Sequence, residues 1–246
     1  LYTAATQCHA DIVVGGHRDM VNGGVYRVYQ HPLAGQVLKG ADQIMPIRNR
    51  LFGHLPEDKE IEAFPMRVWT AIYKSTFLKE NELHFKEILS EDIVFNLSAY
   101  SCADIITFIS DTDYCYRMED HPSITKTFSS KKLARHEEFI DELSRLAENE
   151  QFQHEQCLMR VKRMAIEYCR IYARLVANSD LPLRKKCKYL HELSKSRMCT
   201  EKCKGYPVNT LPMQQRIFQD ALVHGREWEV LLLIQARHFL KKTAGR

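Results

Sequence analysis

An α/β domain followed by an all-α region is the fold class the sequence predicts, on three observations. The chain opens helix-then-strand. Residues 1–10 have helical character, and Asp11-Ile12-Val13-Val14 reads as a buried strand that stops at Gly15-Gly16. An apolar series at helical spacing, Ile93, Leu97, Tyr100 and Ala103, leads into the β-branched run 105–109. From Ser130 onward only helical periodicities recur. Such an opening is how a chain reads when entered midway through an α/β domain.

In order along the chain, Val25-Tyr26-Arg27-Val28-Tyr29 alternates and predicts a further strand. A helix is expected over about 33–44. A loop follows with Gly53, Pro56 and the acids Glu57, Asp58, Glu60 and Glu62. Within 66–79, Trp69, Ile72 and Tyr73 share a face at helical spacing, and Leu78 extends it. Ser90 is the expected N-cap of the next helix, whose first turn carries Glu91 and Asp92 at the positive helix end. Ser110-Asp111-Thr112-Asp113 predicts a turn and Tyr114-Cys115-Tyr116-Arg117 a short strand. The polar stretch 118–127, broken by Pro122, predicts a mobile loop. Beyond it Phe139, Leu143 and Leu146 mark one helix, and Leu158, Val161, Met164, Tyr168, Ile171 and Leu175 a long second one. Asp180 with Pro182, and Thr210 with Pro212, signal two more helix starts. Gly225 ends the latter, and 227–242 is the last helix. The expected domains are 1–128, α/β, and 129–246, helical.

Composition sets bounds on function. A 45% apolar, 27% charged chain of 246 residues has ample core for one large domain or two small ones. No apolar run reaches the roughly 20 residues of a membrane span, and no secretory pattern opens the chain. The first residue is Leu1 rather than Met, so a processed or truncated chain is expected. Residues 1–130 carry net −5 and residues 131–246 net +9, so the halves face different surroundings. Residues 182–204 hold eight basic and two acidic residues, a patch suited to an anionic membrane surface or to a solvated helix face. No nucleic-acid fold motif accompanies it, so no nucleic-acid partner is expected. The eight cysteines are scattered. Cys199-x-x-x-Cys203 lacks the further ligands a structural zinc needs, so reduced thiols in a cytoplasmic protein are expected.

Glu91-Asp92-x-x-Phe95-Asn96, then Tyr114-x-Tyr116-Arg117 and Ser123-x-Thr125, together resemble the second half of a bacterial family-2 glycosyltransferase. Residues 68–78, Val-Trp-Thr-Ala-Ile-Tyr-Lys-Ser-Thr-Phe-Leu, are similar to the acceptor-side segment of those enzymes. Members often read Trp-Asn-Lys-Leu-Tyr-Arg there, and this chain has Thr70 and Ala71 in place of the Asn and Lys. The resemblance implies a partial GT-A-like mixed sheet with flanking helices. It implies inverting transfer of a sugar from a nucleotide-sugar to a glycan or lipid-linked acceptor, in cell-surface polysaccharide synthesis. In the resembled enzymes a nucleotide-binding half with a metal-binding Asp-x-Asp comes first. This chain therefore reads as the later two thirds of such an enzyme, and a divalent cation, Mg or Mn, would be held mainly by the missing part. The implied location is cytoplasmic, peripheral on the inner membrane face.

The same resemblance assigns roles. Asp92 is the candidate base that takes the acceptor hydroxyl's proton, and Glu91 orients the acceptor or a neighbouring loop. Two helix-capping acids are the plainer reading of the pair. Adjacent carboxylates cannot straddle a glycosidic bond, which disfavours hydrolysis. Arg117, with Ser123 and Thr125 on the loop, is the candidate contact for the donor diphosphate; a surface Arg at a strand end is the alternative. Trp69 and Tyr73 are candidate stacking platforms for an acceptor sugar, or core aromatics. Asp111-Thr112-Asp113 spells Asp-x-Asp but reads as a turn, and His121 as a solvated loop histidine. Asn96-Leu97-Ser98 matches a glycosylation sequon inside a predicted helix, where it is discounted. The competing function is a non-catalytic helical interaction module carrying a degenerate glycosyltransferase remnant.

Overall fold

The computed structural model describes residues 1–58, 65, 67–118 and 127–244. The chain divides into two compact units, Leu1–Phe52 with Glu62–His121, and Gly53–Ile61 with Pro122–Arg246. The first is a mixed α/β unit and the second is helical.

The first unit is built on two strands that run side by side through two sheets. β1 (Ile12–Val14) lies parallel to β6 (Ile105–Phe108), between β5 (Ala71–Tyr73) on one side and β6 with β4 (Val37–Lys39) on the other. Beyond Gly15-Gly16 the chain continues as β2 (His17–Val21). It now pairs parallel with β7 (Tyr114–Arg117) and antiparallel with β3 (Gly24–Tyr29). Gly16 is the crossing point. A Cβ there would lie 2.2 Å from the Tyr29 carbonyl oxygen and 2.8 Å from Thr112 Cγ2, so only glycine lets these backbones approach. Asp11 locks the other end, where its Oδ2 accepts the backbone N–H groups of Asp104 and Ile105 at 2.9 and 3.1 Å.

Helices α1 (Tyr2–Cys8), α2 (Ala41–Asn49), α3 (Ser75–Glu80) and α4 (Glu91–Cys102) flank the sheets. α4 forms because Val94, Phe95, Leu97, Ala99 and Tyr100 make an apolar face. Arg48 of α2 secures that face by donating from Nε to the Leu97 carbonyl at 2.7 Å, with its guanidinium near the Phe52 ring. Ile12, Val13, Leu97, Ile106 and Phe108 are the buried centre of the unit.

Three expectations change here. The helix expected over 33–44 is instead strand β4, then the left-handed Gly40, then α2; pairing of Val37–Lys39 with β6 overrides the helical spacing. The face expected for 66–79 is split into a 3₁₀ turn, Val68–Thr70, edge strand β5 and helix α3. β1 offers an open edge there, and the Thr70 carbonyl accepts the Gly15 N–H at 2.9 Å. Strand β2 was not expected at all, because its sequence His-Arg-Asp-Met-Val carries no apolar alternation.

The second unit packs α5 (Lys132–Glu148), α7 (Leu183–Lys195) and α9 (Glu227–Ala244) around α6 (His154–Ala177), with α8 (Met213–Val223) against α9. Phe139, Ile140, Leu143, Ile166, Tyr172 and Leu190 fill the centre. Pro182 and Pro212, rather than Asp180 and Thr210, occupy the N-cap positions of α7 and α8. Gly225, at φ 63°, turns the chain between α8 and α9. Segment 53–58 belongs to this unit because Arg160 Nη1 donates to the Gly53 carbonyl at 2.6 Å and to Asp58 Oδ2 at 2.9 Å. No described helix is long and apolar enough to cross a membrane.

Candidate active site

Asp92 sits in the first turn of α4, partly buried, and its neighbour Glu91 is exposed. Ser90 takes the N-cap position with a left-handed backbone, φ 59°, rather than the extended one usual for a capping serine. The α4 start thereby faces the 3₁₀ turn that carries Trp69. Asp92 Oδ2 accepts the Val68 backbone N–H at 3.3 Å. Burial pushes the Asp92 carboxyl's pKa up; the Val68 N–H pulls it down, and the Glu91 charge adds to the rise. A carboxyl raised in this way is a stronger base once ionised.

Trp69 leads from Asp92 onto the second sheet. Its ring lies 4.4 Å from that of Tyr114, tilted, and 5.5 Å from that of Tyr116, stacked. The edge of His17 meets it at 5.1 Å, and the Arg67 guanidinium lies 5.4 Å over it. Tyr29 stacks on His17 at 4.6 Å, and Arg27 covers Tyr29 at 4.3 Å. One face of β3, β2 and β7 is thus an aromatic strip, edged by two guanidiniums.

Within that strip are residues the sequence reading passed over. His17 and Asp19 are 4% and 6% exposed and share a face of β2, with Nε2 and Oδ1 3.6 Å apart. Arg67 Nη1 lies 3.4 Å from His17 Nδ1, which accepts if the ring proton sits on Nε2 toward Asp19. Burial and the Arg67 charge lower the His17 pKa against the opposing pull of Asp19. The one signal available in sequence was the i, i+2 spacing of His17 and Asp19, which is meaningful only once β2 is recognised as a strand.

The remaining candidates are placed less closely. Tyr73, on β5, donates its hydroxyl to Asn96 Oδ1 at 2.7 Å and meets Phe95 edge-on at 5.3 Å. That ties it to the inner face of α4, and Asn96, 3% exposed, is buried with it. Arg117 ends β7 and is exposed. Strand alternation puts it opposite Tyr114 and Tyr116, on the far side of the sheet from Trp69. Ser123, Thr125 and His121 lie outside the described residues. Asp111 and Asp113 stand in the β6–β7 connection, where the Asp111 carbonyl accepts the Gly16 N–H at 2.8 Å and Thr112 accepts from Arg18 Nε at 3.0 Å. Among the described residues no group of three or more His, Cys, Asp or Glu side chains is placed to hold a metal ion.

No protein-family model and no curated protein matches this sequence. Solved structures of S. aureus TarS do show a weak, partial likeness. TarS 1–349 in complex with UDP-GlcNAc is 13% identical with a TM-score of 0.46, over 96% of this chain and 62% of that one. TarS 1–349 alone is 14% identical with a TM-score of 0.48, over 96% and 60%. The chain spans about three fifths of the length of those TarS structures.

Proposed function

We propose that this chain is the acceptor-side part of an inverting glycosyltransferase that uses a nucleotide-sugar. The supporting observation is the placement of Asp92. It is a partly buried carboxylate at a helix start, anchored to the residue before Trp69 and continuous through Trp69 with an aromatic strip. Aromatic faces suit the apolar faces of sugar rings, and a carboxylate beside them suits removal of a hydroxyl proton.

In this reading the acceptor sugar lies along Trp69, Tyr114 and Tyr116. Its hydroxyl gives a proton to Asp92, the oxygen attacks the anomeric carbon, and the nucleoside diphosphate departs from the opposite face with inversion. Glu91 orients the acceptor. Arg67 lies over Trp69 and beside His17, and Arg117 with Ser123 and Thr125 is assigned to the diphosphate on the sequence resemblance. Mg or Mn would neutralise the diphosphate, with ligands from a donor-binding half rather than from the residues described here. The proposed setting is the cytoplasmic membrane face, with a glycan or lipid-linked acceptor.

Calorimetry with UDP-sugars and Mn tests the division of labour. The chain as given should bind the donor weakly or not at all, while oligosaccharide acceptors perturb Trp69 fluorescence. A micromolar donor dissociation constant would mean that the donor site is complete in these residues. Silence toward every acceptor would favour the non-catalytic module.

A further inference from the structure

The helical unit carries an arginine cluster that the transfer reading does not use. On α6, Arg163, Glu167, Arg170 and Arg174 recur at i, i+4, i+7 and i+11, which is one helical stripe. Arg163 and Arg170 are 9% and 8% exposed, unusual for arginine. Both hold Glu167: Arg163 Nη2 at 2.6 Å and Arg170 Nη1 at 2.8 Å. Arg163 Nη2 also donates to Gln215 at 2.9 Å, and its Nη1 is buried without a hydrogen-bond partner among the described residues. From α9, which packs against α6, Arg237 comes within electrostatic reach of Arg170 and Arg174. Arg174 and Arg237 are exposed, so the stripe opens to solvent at that end.

The charges do not balance. Arg163 and Arg170 share the carboxylate of Glu167, Arg174 follows one turn on with Arg237 in reach, and Glu167 is the one acid whose charge acts on Arg170 or Arg174 among the described residues. Desolvation first, together with the neighbouring guanidiniums, disfavours the charged forms of Arg170 and Arg174 against the opposing pull of Glu167. Concentrated, partly desolvated positive charge is destabilising unless an anion compensates it. Planar guanidiniums match phosphate oxygens in pairs.

We infer that Arg170, Arg174 and Arg237 form a binding site in the helical unit for a multiply charged phosphate group, with Arg163 and Glu167 holding Arg170 in place. The ligand chemistry is a diphosphate or a phosphomonoester cluster, supplied either free in solution or on a lipid headgroup. The site is independent of Asp92 and of the proposed transfer.

Calorimetry of the 246-residue chain with inorganic pyrophosphate, at ionic strength matched with chloride, tests it. Saturable binding is expected, with a rise in melting temperature. Arg174→Gln/Arg237→Gln, both at exposed positions, should weaken binding at least about tenfold, since each lost charge-assisted hydrogen bond is worth about 1.5 to 3 kcal/mol. The unliganded melting temperature should be unchanged or raised, because repulsion is relieved. Arg197→Gln, in the basic stretch outside the cluster, should bind as the parent does. Vesicles with and without phosphatidic acid separate the sources: a lipid ligand gives binding lost in the double variant, and a free ligand gives pyrophosphate binding alone. Pyrophosphate binding that is absent at matched ionic strength, or equal in the double variant, overturns the site.

Discussion

Val68 donates its backbone N–H to Asp92 Oδ2 at 3.3 Å, across 24 residues of sequence. The bond fixes the carboxylate against the turn bearing Trp69 and leaves its other oxygen for chemistry. Asp92→Asn retains an oxygen to accept that N–H and is about as good near a helix start. In a chain joined to a donor-binding half, the melting temperature should hold while turnover falls at least about 100-fold, the usual lower range for a general base. Glu91→Gln should cost less. Near-normal transfer by Asp92→Asn at saturating substrates would remove Asp92 as the base. The upward shift of its pKa also predicts an acid limb of the pH–rate profile above the ordinary carboxylate range, since the protonated form cannot accept a proton.

Tyr73→Phe separates a packing role from an acceptor role. Removing the hydroxyl that Asn96 accepts at 2.7 Å should lower stability by about 1 to 2 kcal/mol. Denaturant melts would show this, and an acceptor KM unchanged alongside it would mark Tyr73 as a core aromatic. A tenfold rise in KM with full stability would restore the stacking role.

Acid should weaken the fold through His31 and His136. Burial lowers each to about 4, first by desolvation and then by nearby Arg50 for His31 and Lys132 for His136. Below pH 6.5 the unfolded chain takes up protons that the folded chain refuses until about pH 4. Stability present at pH 7 is therefore lost as pH falls through that window, by about 3 kcal/mol per histidine. His31 Nδ1 accepts the Leu33 N–H at 3.1 Å, a role an Asn oxygen can take. His31→Asn should flatten the fall in urea midpoint between pH 6.5 and 4, and an unchanged slope would refute the assignment.

The basic stretch 182–204 should bind anionic vesicles more weakly than its charge suggests. Lys186 is spent on the Ala177 carbonyl, Arg197 and Lys202 on Asp141, and Lys188 on Glu192. Arg184 and Lys185 are exposed on α7. Sedimentation should be salt-sensitive, because such attraction is screened within about 10 Å at 0.1 M. Arg184→Gln/Lys185→Gln should reduce it about tenfold or more, at about 1 kcal/mol per charge. Equal binding to neutral vesicles would exclude membrane attraction.

What was legible in the sequence follows where periodicity is local and strong. α4, β6, the turn at 110–113 and β7 stand where Ile93, Leu97, Ile105 and Tyr114 put them, and the helical unit was readable from α6 outward. The failures share a cause. Val37–Lys39 and Ala71–Tyr73 became strands because β6 and β1 had edges to fill, and nothing within three or four residues records that. His17 and Asp19 were invisible for the same reason: β2 is polar along its length, and only pairing with β3 and β7 makes it a strand. The α6 arginine stripe, by contrast, was written at heptad spacing, but the contribution of Arg237 depends on how α9 packs.

The parallel pairs β1–β6 and β2–β7 carry a cost in time. They join residues 12–20 to residues 106–117, so these parallel pairings cannot close early, although the β2–β3 hairpin can. Such long-range closure makes folding slow. At about 5 to 20 residues per second, the ribosome delivers β7 some 5 to 20 seconds after β2. Until β6 emerges, Ile12, Val13 and Val14 are an apolar strand with one edge open, the other being available to β5 once residues 71–73 have been made. A chaperone that shields this segment during synthesis would therefore govern how much of the protein reaches its native form.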